Sequence, residues 1–423
     1  MKAGHYLKYI GPGILVAATG IGAGDLATGA FAGSKLGVAI LWAVVIGAFL
    51  KYVVIEGLTR WQLATGQTLL EGAIHHLGPV AQYTFLIYLI IWTFFVSSAL
   101  ISASGVAAHA LIPVFKDPDI ARIVFGVCHS IAALILVFLG TYKSFEKVMS
   151  FFISLMFVSV IVTVIMIGPE WTSVLRGVFV PAIPEYLDAN GNNQGVTWTL
   201  GLMGGVGGTL TLLAYGYWIR EKQRTDIRHL NLCRIDLGVA YLVTALFGMA
   251  MVIIASQSAL DRQASSATLL VVLGAELKPI IGSTGKYIFL TGAWAAVFSS
   301  MLGVWQSVPY MFADFWDLSR YKRFENRDPV NTRGLPYRVY LTAMGIIPMI
   351  GLQYKFVVAQ KMYAVLGSLV LPLIALVLLI LNGRSDLVGS QYKNKPLTVV
   401  VLLLTIIFFL YLGIPKIWGM LFS

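Results

Sequence analysis

The sequence predicts an all-α polytopic membrane protein of about eleven transmembrane helices, arranged as a 5+5 inverted repeat whose first and sixth spans are broken. Three observations predict it. Of 423 residues, 58% are hydrophobic and 12% charged, against roughly 45–50% and 25% in an average soluble domain, and mean hydropathy is +0.82. Apolar runs near twenty residues recur along the whole chain, long enough to cross a bilayer as helices. Glycine is concentrated in the middle of two of those runs. A soluble enzyme, a disordered chain and a disulfide scaffold are excluded by the first observation. An outer-membrane barrel is excluded because the runs do not alternate.

The first span, 9–36, reads Gly11-Pro-Gly, then Gly20-Ile-Gly-Ala-Gly-Asp25, then Thr28-Gly-Ala-Phe-Ala-Gly33. It is not a signal peptide, because it lacks a small-residue cleavage site and its apolar run contains Asp25. Spans 38–61, 80–108, 120–141 and 144–168 are ordinary Leu/Val/Ile/Phe helices and complete a first repeat, 9–168. The sixth span, 197–219, contains Gly201-Leu-Met-Gly-Gly-Val-Gly-Gly-Thr209-Leu-Thr211. Spans 235–257, 285–311, 336–354 and 361–382 complete a second repeat, 197–382, and 396–416 is an additional helix of the same single transmembrane domain, 1–423. A glycine inside a helix costs about 1 kcal/mol relative to alanine. Close helix packing would explain one glycine pair. Two clusters, each opening a five-helix set, read instead as discontinuous helices whose ends and freed carbonyls face a substrate near the midplane.

The net charge of +11 reports topology rather than nucleic acid. With the N-terminus inside, 19 Lys and Arg fall in inner segments and 10 in outer ones, Lys51 lying within a span. The bias predicts a cytoplasmic N-terminus and, with an odd number of spans, an outer C-terminus in a bacterial-type inner or plasma membrane. The 169–196 loop agrees: it carries Glu170, Glu185 and Asp188 against one Arg, with a solvated turn at Asp188-Ala-Asn-Gly-Asn-Asn. Cys128 and Cys233 fall on different helices, which argues against a disulfide. No Walker A motif, metal-type Cys/His spacing or acid/base pair is visible, so neither an ATP-driven pump nor an enzyme is expected, and no cofactor.

Asp25 is the leading site residue, since an intramembrane carboxylate is costly and by default functional; the competing reading is a protonated, hydrogen-bonded structural Asp. Around it the breaks supply Gly22, Ala23, Gly208, Thr209, Thr211 and Tyr215 as the candidate substrate site. Its donors are hard oxygens, suited to hydrated Mg²⁺ or Ca²⁺, a monovalent ion or an organic ammonium. The glycines are expected to make room, with Trp92, Trp294 and Trp305 as walls. Glu56 is expected to pair with Arg60 at i+4, not with Lys51. Asp236 and Arg234 are expected in an inner-face network. His129 reads as a hydrogen-bonded histidine more than a proton shuttle, and His75-His76 as solvated.

Several segments resemble the Nramp family of divalent-metal/proton symporters: Gly11-Pro-Gly-Ile-Leu-Val with Leu26-Ala-Thr, Thr65-Gly-Gln-Thr-Leu-Leu-Glu71, Val178-Phe-Val-Pro-Ala-Ile-Pro184, Arg234-Ile-Asp236, Ser299-Ser300, and Leu371-Pro372 with Leu381-Asn-Gly383. The resemblance spans nearly the whole chain and implies the LeuT fold and alternating-access transport. It breaks at the site. The family's Asp-Pro-Gly-Asn, whose Asp and Asn ligate metal, reads Gly22-Ala-Gly-Asp25, and its Met-Pro-His falls on Gly208-Thr209-Leu210. The span-ten Gln falls on Val370, and the acidic residues of span three are absent from Phe85–Ala108. LeuT-fold carriers that use Na⁺ place span-eight hydroxyls against span-one carbonyls, which makes Ser299, Ser300 and Gly20 a candidate coupling-ion site for Na⁺, with a proton as the alternative. The expected function is a secondary carrier of a small cation. A carrier of a small amine or amino-acid-like solute, and a transport-inactive sensor on the same scaffold, are the alternatives.

Overall fold

The computed structural model describes residues 11–187, 191, 193–257, 269–321, 330–353 and 356–422. The start of the first span at 9–10, Lys2, Lys8, Arg262, Lys322, Arg323, Arg327, Lys355 and the turn residues 188–190 and 192 lie outside the described residues. The first span is two helices, α1 (Pro12–Gly20) and α2 (Ala23–Leu36). Next come α3 (Leu41–Thr65), the short α4 (Leu69–Leu77), α5 (Pro79–Leu111), α6 (Pro118–Leu139), α7 (Tyr142–Ile167) and the short α8 (Trp171–Phe179). The sixth span is α9 (Gly195–Gly205), a 3₁₀ turn at Leu210–Leu213, and α10 (Ala214–Glu221). Then follow α11 (Leu230–Ser256), α12 (Leu269–Tyr321), α13 (Leu335–Ile346) with its 3₁₀ extension Ile347–Gln353, α14 (Phe356–Leu381), α15 (Ser385–Val388) and α16 (Pro396–Phe422). Both predicted breaks are present. Span eight, expected from 285, is the part of α12 that follows a kink at Gly282, whose φ is +70°; a separate helical segment from Leu269 leads into it.

Local chemistry explains the ends. Thr68 accepts from the Glu71 backbone N–H while Glu71 accepts from the Thr68 backbone N–H, a reciprocal cap that starts α4. Asp117 accepts from the backbone N–H groups of Asp119 and Ile120 at the start of α6. Several glycines inside regular helices are packing surfaces. A Cβ on Gly105 would lie 2.0 Å from the Arg122 carbonyl oxygen, and one on Gly47 would lie 2.5 Å from that of Met203. Small residues let membrane helices approach where lipid offers no hydrophobic drive. The bundle's outside is apolar at Ile87, Ile131, Ile135, Leu403 and Ile407, as a lipid-facing surface requires.

Ion pairs collect on one face: Arg60–Glu56 (3.3 Å), Arg234–Glu56 (2.7 Å), Arg220–Glu71 (2.7 Å), Lys222–Glu146 (2.8 Å) and Arg224–Asp236 (3.1 Å). This basic face gathers the ends of the second and sixth spans and the loop at 222–229. On the opposite face the 168–187 segment lies across spans one and two, with Trp42 Nε1 donating to the Ala182 carbonyl at 3.0 Å and Lys35 Nζ donating to the Tyr186 hydroxyl at 2.6 Å.

Candidate substrate site

The two breaks meet. Gly207 and Gly208 have φ of +80° and +82°, a left-handed backbone that side chains rarely adopt, so α9 stops and the chain turns before α10. A Cβ on Gly20 would lie 2.9 Å from the Gly207 carbonyl carbon, and one on Gly208 would lie 3.1 Å from Gly20 Cα. A Cβ on Gly22 would lie 2.4 Å from Ser300 Oγ. The expectation that the glycines open space is corrected at Gly22 and Gly208: Gly208, like Gly20, is spent on close backbone approach, and Gly22 on the Ser300 side chain. Gly208→Ala is therefore expected to lower the thermal midpoint of the solubilised protein, the left-handed backbone alone costing about 1–2 kcal/mol. Gly201→Ala, with nothing within 4 Å of the new methyl, is the control and should be neutral or stabilising by up to about 1 kcal/mol.

Asp25 bridges the breaks. It sits in the first turn of α2, where one carboxylate oxygen accepts from the Gly22 N–H (3.2 Å) and the other from the Gly207 N–H (2.9 Å). A carboxylate at a helix N-terminus meets the positive end of the helix dipole. Lys51, from the middle of the unbroken α3, is fully buried and reaches the same place. Its ammonium donates to the Gly204 carbonyl at 3.0 Å and to the Val206 carbonyl. Val206 C=O and Gly207 N–H belong to one peptide unit, so this single peptide is held at its oxygen by the ammonium and at its nitrogen by the carboxylate.

Thr209 and Thr211 are buried on the α10 side of the break. Thr209 Oγ1 accepts from Trp92 Nε1 at 3.3 Å, so Trp92 does wall the break. Trp294 instead donates to His129 Nε2 at 2.8 Å and stacks on Phe298. Ala23 contributes the first residue of α2. Ser299 and Ser300 hydroxyls donate to the Ala18 (3.3 Å) and Thr19 (2.8 Å) carbonyls at the end of α1, so span eight touches the carbonyls of span one as anticipated. Thr19 Oγ1 and the Tyr241 hydroxyl are buried without a hydrogen-bond partner among the described residues. Tyr241 lies against Gly207, a Cβ on which would be 3.2 Å from its ring.

One assignment is corrected. The Tyr215 hydroxyl does not face the breaks; it donates to Asp236 Oδ2 at 3.1 Å and to the Cys233 carbonyl at 3.4 Å. Asp236 and Arg234 each enter an ion pair, but with different partners, because residues two apart point to different sides of a helix: Arg234 takes Glu56, and Arg224 takes Asp236. Asp236 also accepts from the Gly11 (3.3 Å) and Gly13 (3.0 Å) N–H groups. It thereby pins the start of α1 to α11, with Tyr215 of α10 and Arg224 on the same carboxylate. Gly13 permits this, since a Cβ there would lie 2.4 Å from the Asp236 carbonyl oxygen.

Paired broken helices crossing at their midpoints, one in each five-helix set, are the geometry of an inverted-repeat carrier. A family profile described as Natural resistance-associated macrophage protein-like, Nramp, matches residues 13–419. The chain belongs to the Nramp family. A search of curated proteins returns no match. A solved structure of the Eremococcus coleocola manganese transporter superposes with a TM-score of 0.78 at 17% identity, covering 100% of this chain and 90% of that one. MhsT in complex with L-phenylalanine (TM-score 0.58, 13% identity, 97% of each chain) also matches. So does Mhp1, a nucleobase-cation-symport-1 family transporter (TM-score 0.58, 13% identity, 97% of this chain and 92% of that one). At these identities the likeness is one of fold, the LeuT fold. As an Nramp member the chain is an integral membrane transporter. Asp25 is a carboxylate held at the break, and among the described residues no three His, Cys, Asp or Glu side chains cluster as a metal site. Sequence reasoning missed Lys51, Thr19, Tyr241 and Arg224. Lys51 carried a usable signal: it is a charge in mid-span, the same signal that singled out Asp25.

Proposed function

We propose that this Nramp-family protein is a secondary-active carrier working by alternating access, whose substrate is a small cation held by hard oxygen donors rather than by transition-metal ligands. The observation that carries this reading is the placement of Asp25 on the N–H groups of both breaks, with the Tyr241 hydroxyl, unpartnered among the described residues, on a ring packed against Gly207. An oxygen-only set with one carboxylate favours hard cations over soft ones. Thr209 and Thr211 belong to that donor set, and Ser299 and Ser300 on the α1 carbonyls mark a coupling-ion position for Na⁺. The basic face is cytoplasmic in this reading, as the distribution of Lys and Arg supports. A second reading, a small zwitterionic solute, is favoured by one fact: the breaks present a carboxylate and an ammonium together.

Thermal-shift measurements on purified protein with Mn²⁺, Mg²⁺, Ca²⁺, Na⁺ and an amino-acid and amine panel test these readings, because a ligand at 100 times its Kd stabilises by about 2.7 kcal/mol. The expected result is stabilisation by Mg²⁺, Ca²⁺ or Na⁺ and uptake of the same ion by proteoliposomes. Strong Mn²⁺ stabilisation abolished by Asp25→Ala would overturn the hard-cation assignment. Stabilisation by zwitterions alone selects the second reading. No stabilisation and no flux would support a transport-inactive sensor.

A further inference from the structure

Lys51 is the one buried ammonium that reaches the breaks among the described residues, and the sequence pattern of the family motif does not call for it. Fully buried lysines are rare unless paired. Here the ammonium sits on Gly204 and Val206, the carbonyl end of the half-helix α9, while Asp25 holds the N–H of the next peptide. Carbonyls freed at a half-helix C-terminus are the groups a cation substrate or coupling ion would use. Lys51 thus occupies a position suited to a mobile cation, but on a tether. The tether is a flexible four-carbon stem on α3, which is neither of the broken spans.

We propose that the Lys51 ammonium is a surrogate cation: it holds the carbonyl end of the break while the carrier is empty and yields it when a substrate cation binds. This rests on the cation-carrier reading above. A carrier with Asp25 alone would have to pass through its empty closed state with an uncompensated buried charge, which is strongly disfavoured. With Lys51 in place, the empty site is already neutral, so the return step proceeds without an ion. Lys51 also competes with the substrate, which keeps binding weak enough for release.

The test uses Lys51→Gln, which keeps an amide donor and removes the charge, and Lys51→Arg, which keeps the charge. Affinity for Mg²⁺, Ca²⁺, Na⁺ and Mn²⁺ is measured by calorimetry at fixed pH and ionic strength. Net uptake is compared with cation-for-cation exchange in proteoliposomes. K51Q should bind the substrate cation about tenfold more tightly, a loss of competition worth about 1.4 kcal/mol, and its ratio of exchange to net uptake should rise about tenfold. K51R should lie nearer the wild type than K51Q in both. Equal affinities and equal flux ratios in K51Q and wild type would overturn the proposal while leaving the cation reading intact. Binding of none of the four cations by either protein would overturn the cation reading itself. Loss of helical structure in both variants would also count against the proposal, because a side chain that must leave its carbonyls in every cycle cannot be indispensable to the fold.

Discussion

Asp25→Ala is expected to abolish uptake, by about 100-fold or more, and to destabilise the solubilised protein by about 3–5 kcal/mol. Two effects add. The Gly22 and Gly207 N–H groups lose their acceptor, and a buried donor left without a partner costs about 1–3 kcal/mol. The Lys51 ammonium also loses the opposite charge across the Val206–Gly207 peptide. Asp25→Asn separates the two, since an amide oxygen still accepts one N–H but carries no charge. The check is a cycle of thermal unfolding and uptake on Asp25→Asn, Lys51→Gln and the double variant. If the two charges are coupled through the break, the double variant will be more stable than the sum of the singles predicts, by about 1–3 kcal/mol. Additive losses would mean that Asp25 serves only as a local helix cap.

Asp236→Asn is expected to release the start of α1 on the basic face. One carboxylate there accepts from Gly11 N, Gly13 N, Tyr215 and Arg224, which ties α1, α10 and the loop after α10 to α11. Neutralising it removes the opposite charge facing the 4% exposed Arg224 guanidinium, a loss of about 3–5 kcal/mol that falls on the arrangement in which α1 is held to α11 at this face. The population should shift toward one open on this face. Cys233 is the reporter: it is fully buried beneath this junction, whereas Cys128 is exposed. In a Cys128→Ser background, modification of Cys233 by a small water-soluble thiol reagent should accelerate about tenfold or more in Asp236→Asn. An unchanged rate with lowered stability would show that the Asp236 junction supports the fold without gating it.

The breaks were legible because their cause is local. Glycine clusters at Gly20–Gly24 and Gly204–Gly208 are costly in any helix, and Asp25 beside one of them is costly in any membrane. The Glu56–Arg60 pair was legible for the same reason, being one turn apart on one helix. The reciprocal cap of Thr68 and Glu71 lies within Thr65-Gly-Gln-Thr-Leu-Leu-Glu71, and its three-residue spacing is what makes it form. The place of Tyr215 was not legible because its partners come from another helix, and neither periodicity nor spacing says which way a buried side chain turns across a helix interface. The glycines were misread in part. A missing side chain tells only that something comes close or that space is left, and the structure fills it at Gly20, Gly22 and Gly208.

The sequence by itself therefore determined the solvent, the span pattern, the two breaks and the carboxylate between them, because hydropathy, glycine and burial of charge act within a single segment. Only the tertiary structure decided that Lys51 of an unbroken helix meets that carboxylate across one peptide unit, and that Asp236 holds the start of α1. Those contacts join residues 155 and 225 positions apart, and their partners are selected by helix packing, which brings the ends of half-helices to side chains that no local pattern relates to them.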